Sequence, residues 1–172
     1  LRARSGYKQI LSRRESEFYG LMDIDNYTFA PWKVVWREMA DSLTCAVVGC
    51  SDGKPVVPDH KIMLIDFERQ EEAFYAAAAL NSASARLLCR GYAIGVQMDP
   101  HIAENIAVPA FDGSDLHVRL AELSRAAHEA AAAGDEERVA EIEAEIDELA
   151  AGLWGLTKKE LQAIHNALEI IS

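Results

Sequence analysis

The spacing of apolar residues changes character along this chain. Between residues 27 and 67 they fall in short runs rich in Val, Ile and aromatic side chains, each bounded by turn formers. Lys33-Val34-Val35-Trp36-Arg37, Thr44–Gly49 and Lys61–Phe67 therefore read as strands. Asp25-Asn26 marks a turn before an extended Tyr27–Phe29, Pro31 biases Ala30 to extended backbone, and Asp52-Gly53 marks a tight turn. The run from Lys33 to Arg37 does not alternate cleanly, which predicts cover on both faces, with Trp32 and Trp36 in the core. Lys33 and Arg37 share one side of that strand, where they face solvent or phosphates.

Helical spacing takes over at Glu71. Phe74, Tyr75, Ala78, Leu80, Leu87 and Leu88 predict a helix over 71–88, with Glu71 and Glu72 at its positive end and Asn81-Ser82 as an interruption. Ile102–Val108 reads as a short helix or a strand, and Pro109 with Asp112-Gly113 closes this part. Beyond Ser114, Leu116, Leu120, Leu123, Ala127 and Ala130 follow 4-3-4-3 spacing, and Val139, Ile142, Ile146, Leu149 and Leu153 follow 3-4-3-4 spacing. With Gly134-Asp135 between them, the two stretches predict an antiparallel hairpin of coiled-coil type. Gly155 ends the second helix, and Thr157-Lys158-Lys159-Glu160 is a capping box for a third that carries Leu161, Ile164, Leu168 and Ile171.

The expected fold is α+β: a small mixed β-sheet flanked by helices over residues 19–113, followed by the helical hairpin and a short C-terminal helix over 114–172. Residues 1–18 place Arg2, Arg4, Lys8, Arg13 and Arg14 among Tyr7, Ile10 and Leu11, a basic amphipathic segment that reads as the continuation of an upstream domain.

A net charge of −11 speaks against nucleic acid as a partner, because phosphate contacts need Lys and Arg. Its distribution weakens that objection. Residues 1–113 carry 12 Lys and Arg against 15 Asp and Glu, whereas residues 114–172 carry 5 against 13. The acidity belongs to the helical tail, and the first part is free to present a locally basic face. Three cysteines without paired spacing read as reduced thiols of a cytoplasmic protein, and Cys45, Cys50 and His60 lack the C-x-x-C element of a zinc site. No apolar run reaches the roughly 18 residues of a membrane span.

Chemistry-bearing motifs are sparse. No glycine-rich cofactor loop, G-x-S-x-G or H-E-x-x-H occurs, and the five histidines are scattered. Asp59 and His60 suggest a dyad, but neighbours on a strand point to opposite faces, so the pair reads as structural or as one polar contact. Gly91–His101 is different: Gly91, Gly95 and Pro100 make it irregular, and Tyr92, Gln97 and His101 are able to stack on or hydrogen-bond a ligand.

Four stretches in order, YTFAPWKVVWREM, KPVVPDHKIMLIDF, EEAFYAAAALNSASARLL with GYAIGVQMDPHIAENIAVPAFD, and IDELAAGLWGLTKKELQAI, resemble the C-terminal target-recognition region (TaqI-like specificity domain) of adenine-specific DNA methyltransferases of bacterial restriction-modification systems. The resemblance covers about residues 19 to 170. It implies a module that reads duplex DNA beside a catalytic domain or subunit, which binds S-adenosylmethionine and methylates a flipped adenine. The family's glycine-rich and [ND]PP[YF] motifs are absent, so no cofactor is expected in this chain. Gly95 and Gln97 match the family's loop, with Tyr92, Met98 and His101 beside them; Lys33, Arg37 and Lys61 complete the expected DNA-binding set. The alternative is an interaction or assembly module that works through its coiled-coil hairpin, including helical self-association.

Overall fold

The computed structural model describes residues 25–92, 98, 103 and 105–171. The basic segment of residues 1–18 and the loop positions Gly95, Gln97 and His101 lie outside the described residues. The first element corrects the extended reading of Tyr27–Phe29: Asn26–Phe29 is a 3₁₀ helix. Asp25 accepts from the Asn26 amide at 2.7 Å, and the Asp25 amide donates to Thr28 Oγ1 at 3.2 Å. These local side-chain bonds offer the backbone a partner that an extended segment lacks.

Trp32–Arg37 forms β1, the centre of a three-stranded sheet, with β2 (Ala46–Val48) on one side and β5 (Ile62–Phe67) on the other. A two-stranded hairpin, β3 (Cys50–Ser51) and β4 (Lys54–Pro55), lies between them in sequence. Asp52 and Gly53 have φ of 51° and 73°, the double left-handed turn that matches strand twist. Both pairings of β1 are antiparallel, which corrects the expected mixed sheet. The reason is local: a parallel neighbour needs a crossover, usually a helix, and none separates these strands among the described residues.

Trp32, Val34 and Trp36 point to one sheet face, beside Val47, Met63, Ile65 and Phe67, and pack on α1 (Gln70–Asn81). Every residue of α1 from Ala73 to Leu80 is buried. Ala73, Ala76, Ala77 and Leu80 meet the sheet, whereas Phe74, Tyr75 and Ala78 meet the helical tail. An apolar surface all round is what a helix between two layers requires, and the alanines let both layers approach closely. The helix predicted over 71–88 is broken at Ser82, whose hydroxyl donates to the Ala79 carbonyl at 2.7 Å. Asn81, just before the break, grips the backbone of Cys45: its Oδ1 accepts from the amide at 2.7 Å and its Nδ2 donates to the carbonyl at 2.9 Å. After the break comes α2 (Ala83–Tyr92).

The tail folds as its pattern predicts into α3 (Asp115–Ala133), α4 (Glu136–Ala151) and α5 (Lys158–Ile171). Gly134 caps α3 at φ 74°, and Gly155, at φ 66°, ends the short 3₁₀ turn Gly152–Trp154. Thr157 and Glu160 cap each other's backbone at 2.8 and 3.3 Å. The apolar stripe of α3 and α4 does more than close the hairpin: Leu120, Leu123, Ile142 and Ile146 share a core with Phe74 and Tyr75 of α1. The layers therefore run sheet, α1, hairpin. In the 102–108 segment Ala103 is helical and the chain then turns, with the Ile106 amide on the Ala103 carbonyl at 3.0 Å. Among the described residues no helix is long and apolar enough to cross a membrane.

Candidate functional site

Three segments far apart in sequence meet at the C-terminal end of β1. Arg37 is exposed and pairs in register with Ile62 at the start of β5. One residue on, the Glu38 amide donates to the Lys61 carbonyl at 2.9 Å, and the Glu38 carbonyl accepts from the Met98 amide at 2.7 Å. Lys61 is exposed in the turn that leads into β5, held by its amide on Asp59 Oδ1 at 3.2 Å. The backbone of Glu38 thus joins Arg37, Lys61 and the centre of the Gly91–His101 segment. Tyr92, which ends α2 and opens that segment, is 53% exposed.

Two of the expected DNA-binding side chains are placed differently from the sequence reading. Met98 is 1% exposed, with its sulfur 3.7 Å from Cys89 Sγ and its carbonyl accepting from Trp36 Nε1 at 2.7 Å. It anchors the segment and presents no side chain at the surface. Lys33, expected beside Arg37 at the surface, is 1% exposed, and its Nζ donates to the Ala30 carbonyl at 2.6 Å. It occupies the middle of the central strand, opposite Val48 and Asp66, whereas Arg37 reaches the rim. Burial pulls the Lys33 pKa below its ordinary value, against opposing pulls from Cys50 and Asp66. Side-chain alternation alone put both on one face; only the register separates centre from rim.

The Asp59–His60 reading also needs correction. The two residues precede β5 in a turn closed by the Ile62 amide on the Asp59 carbonyl at 2.9 Å, so the opposite-face argument does not apply. His60 Nδ1 lies 2.9 Å from Asp59 Oδ1, with both side chains more than two-thirds exposed. An exposed pair of this kind contributes at most about 1 kcal/mol.

A cleft of about 500 Å³ between α2, α4 and α5 escaped the sequence reading. It is lined by Arg86, Arg90, Asp147 and His165. Asp147 is buried, accepts from the Ala83 amide at the start of α2 at 2.7 Å, and lies 3.0 Å from His165 Nε2. Arg90 donates to the Asp41 and Ile171 carbonyls, each at 2.6 Å. These bonds tie α2, α4 and α5 together and leave Arg86 Nε buried without a hydrogen-bond partner. Asp147 lies one position off the apolar stripe of α4, so the spacing carries no signal of its burial.

Cys45 and Cys89 are buried, which pushes their thiols up to about 12 and about 11; the neighbouring Cys89 adds to the shift of Cys45. They are protonated packing residues at neutral pH, not nucleophiles. Among the described residues no group of three or more His, Cys, Asp or Glu side chains is placed to hold a metal ion.

The architecture is thus an α+β unit with an exposed basic pair at one end of its sheet. The chain is similar to the Type II methyltransferase M.NspV of Nostoc sp., with 29% identity over 86 residues that cover 46% of this chain and 18% of that protein. The similarity supports a relationship with a Type II methyltransferase. No protein-family model matches the chain, and no solved structure matches it.

Proposed function

We propose that this chain is the duplex-DNA recognition module of an adenine-specific, S-adenosylmethionine-dependent DNA methyltransferase in a restriction-modification system, working beside a catalytic domain or subunit. The observation that carries the reading is the meeting of Arg37, Lys61 and the Met98-anchored segment at Glu38. Exposed cations at the sheet end suit phosphate contacts, and Gln97 is of the residue type that pairs with adenine.

The layer order answers the charge objection. The face of the sheet that carries Arg37 is the one turned away from α1, and the acidic hairpin lies beyond α1. α1 thus covers the sheet face opposite the one that carries Arg37, and α3 reaches the sheet at the outer edge of β2, where His128 accepts from the Val47 amide at 2.8 Å. Assembly through the hairpin is the weaker reading, because its inner stripe is already occupied by Phe74, Tyr75 and Ala78.

The test uses the full-length polypeptide and its DNA target. Replacing Arg37 and Lys61 by Ala should weaken binding to all sequences alike and lower the salt slope by about 1 per lost phosphate contact. Gln97→Ala combined with Lys61→Ala should reduce site-specific methylation while leaving the fold intact. Unchanged site-specific methylation in that double variant refutes the reading.

A further inference from the structure

We infer that the cleft between α2, α4 and α5 is a binding site for a small zwitterion, a molecule of amino-acid type that carries a carboxylate and an ammonium group. The charged side chains around it fall into two sets. Asp147 is engaged by the Ala83 amide and by His165, and Arg90 by two backbone carbonyls. Arg86, Asp41 and Glu169 line the same cleft, and among the described residues their side chains make no hydrogen bond or ion pair. Arg86 Nε is sealed in the wall without an acceptor, so the terminal nitrogens of this half-buried residue are left to meet the cleft.

A guanidinium held by a buried stem is preorganised for an oxyanion, whose two oxygens match its parallel N–H groups. An anion alone does not fit the charge. Two arginines and three carboxylates line the cleft, so with His165 neutral it already holds one net negative charge. The ligand must therefore bring its own cation, and the second charge of a phosphate would work against binding, which favours a carboxylate. Asp41 and Glu169 are both exposed and open to the ammonium group. Glu169 follows His165 by one turn of α5, so the Asp147–His165 contact that seats α5 also sets Glu169 on the opposite wall from Arg86 of α2. A volume of about 500 Å³ lies in the range of small-molecule sites. The cleft shares no residue with the Arg37–Lys61 end of the sheet, so it stands apart from the DNA reading.

The experiment titrates the complete chain with acetate, with methylammonium and with the ω-amino acids from glycine to 6-aminohexanoate, following the backbone amide resonances of Ala83 and His165 by NMR. At least one amino acid should saturate the shifts roughly tenfold more tightly than acetate or methylammonium, the effect of engaging both charges at once. Arg86→Gln should abolish saturation. Asp41→Asn with Glu169→Gln, which alters exposed side chains only, should bring that amino acid down to the affinity of acetate, with the urea midpoint showing that the fold is kept. Acetate binding as tightly as every amino acid marks a plain anion site and overturns the proposal. So does a series in which nothing saturates, or saturation that survives Arg86→Gln.

Discussion

His128 of α3 closes the outer edge of β2: its Nε2 accepts from the Val47 amide at 2.8 Å, while Nδ1 lies 2.6 Å from the Ser124 carbonyl. The bond from Val47 requires a lone pair on Nε2, so the ring proton sits on Nδ1 and donates to Ser124. The imidazole also meets the Phe74 ring edge-on, at 5.2 Å and 88°. With Asn81 gripping Cys45, the helices meet the backbone polar groups of the strand edge that would otherwise template another chain.

His128→Phe should keep the ring contact and leave the Val47 N–H buried without an acceptor. The expected loss is about 1–3 kcal/mol of unfolding free energy, read from the urea midpoint at unchanged slope. A variant as stable as wild type would show that Nε2 contributes nothing as an acceptor.

Lys33 gives a pH signature. Its folded pKa is depressed by burial, so between that value and the ordinary 10.5 of a lysine the unfolded chain binds the proton and the folded chain does not. Stability contributed by this group is therefore gained as pH rises through that window and is missing below it. Relative to Lys33→Met, wild type should become more stable on going from neutral pH toward pH 10, measured by denaturant titration at each pH. Parallel curves for the two proteins would place the Lys33 ammonium in water.

Gly49 follows β2 where the Trp32 ring crosses the backbone. A Cβ there would lie 2.6 Å from Cζ3 of the indole and 3.0 Å from Cη2. The ring is wedged among Phe74, 6.5 Å away, and the core of the sheet, so it has little room to retreat. Gly49→Ala should cost about 1–3 kcal/mol through overpacking. Trp32→Leu in the same chain should relieve part of that cost, and a double-mutant cycle reads the coupling.

What the sequence disclosed follows the range of the interactions. The hairpin was legible to within a few residues because its signals are local: the apolar spacing, Gly134 at φ 74°, and Thr157 capped by Glu160. The Asp52-Gly53 turn was legible for the same reason. Lys33 was not, because its burial depends on strands 15 and 33 residues further on, Val48 and Asp66, and on the Ala30 carbonyl. The candidate site was legible as residue types, Arg37 and Lys61, but their union with Met98 runs through backbone bonds of Glu38, which carry no sequence signature. The all-alanine run of α1 suits a solvent-facing helix as well as a buried one until both neighbouring layers are known.

The sequence pattern divides the chain at residue 113, whereas the packing makes the two parts depend on α1. Removing residues 114–172 would expose Phe74, Tyr75 and Ala78 and forfeit the burial of Leu120, Leu123, Ile142 and Ile146. At about 1.5–3 kcal/mol for each of Phe74 and Tyr75, which remain in the fragment, the loss is of the order of 3–6 kcal/mol, a large share of the stability of a domain. The fragment ending at Gly113 should therefore melt without cooperativity and bind a hydrophobic dye, where the complete chain gives one transition. Loss of DNA binding in that fragment would then report unfolding, so partner docking by α3 and α4 has to be probed by charge reversal on their exposed acidic faces. A fragment that melts cooperatively at the temperature of the complete chain would return the hairpin to the role of a separable appendage.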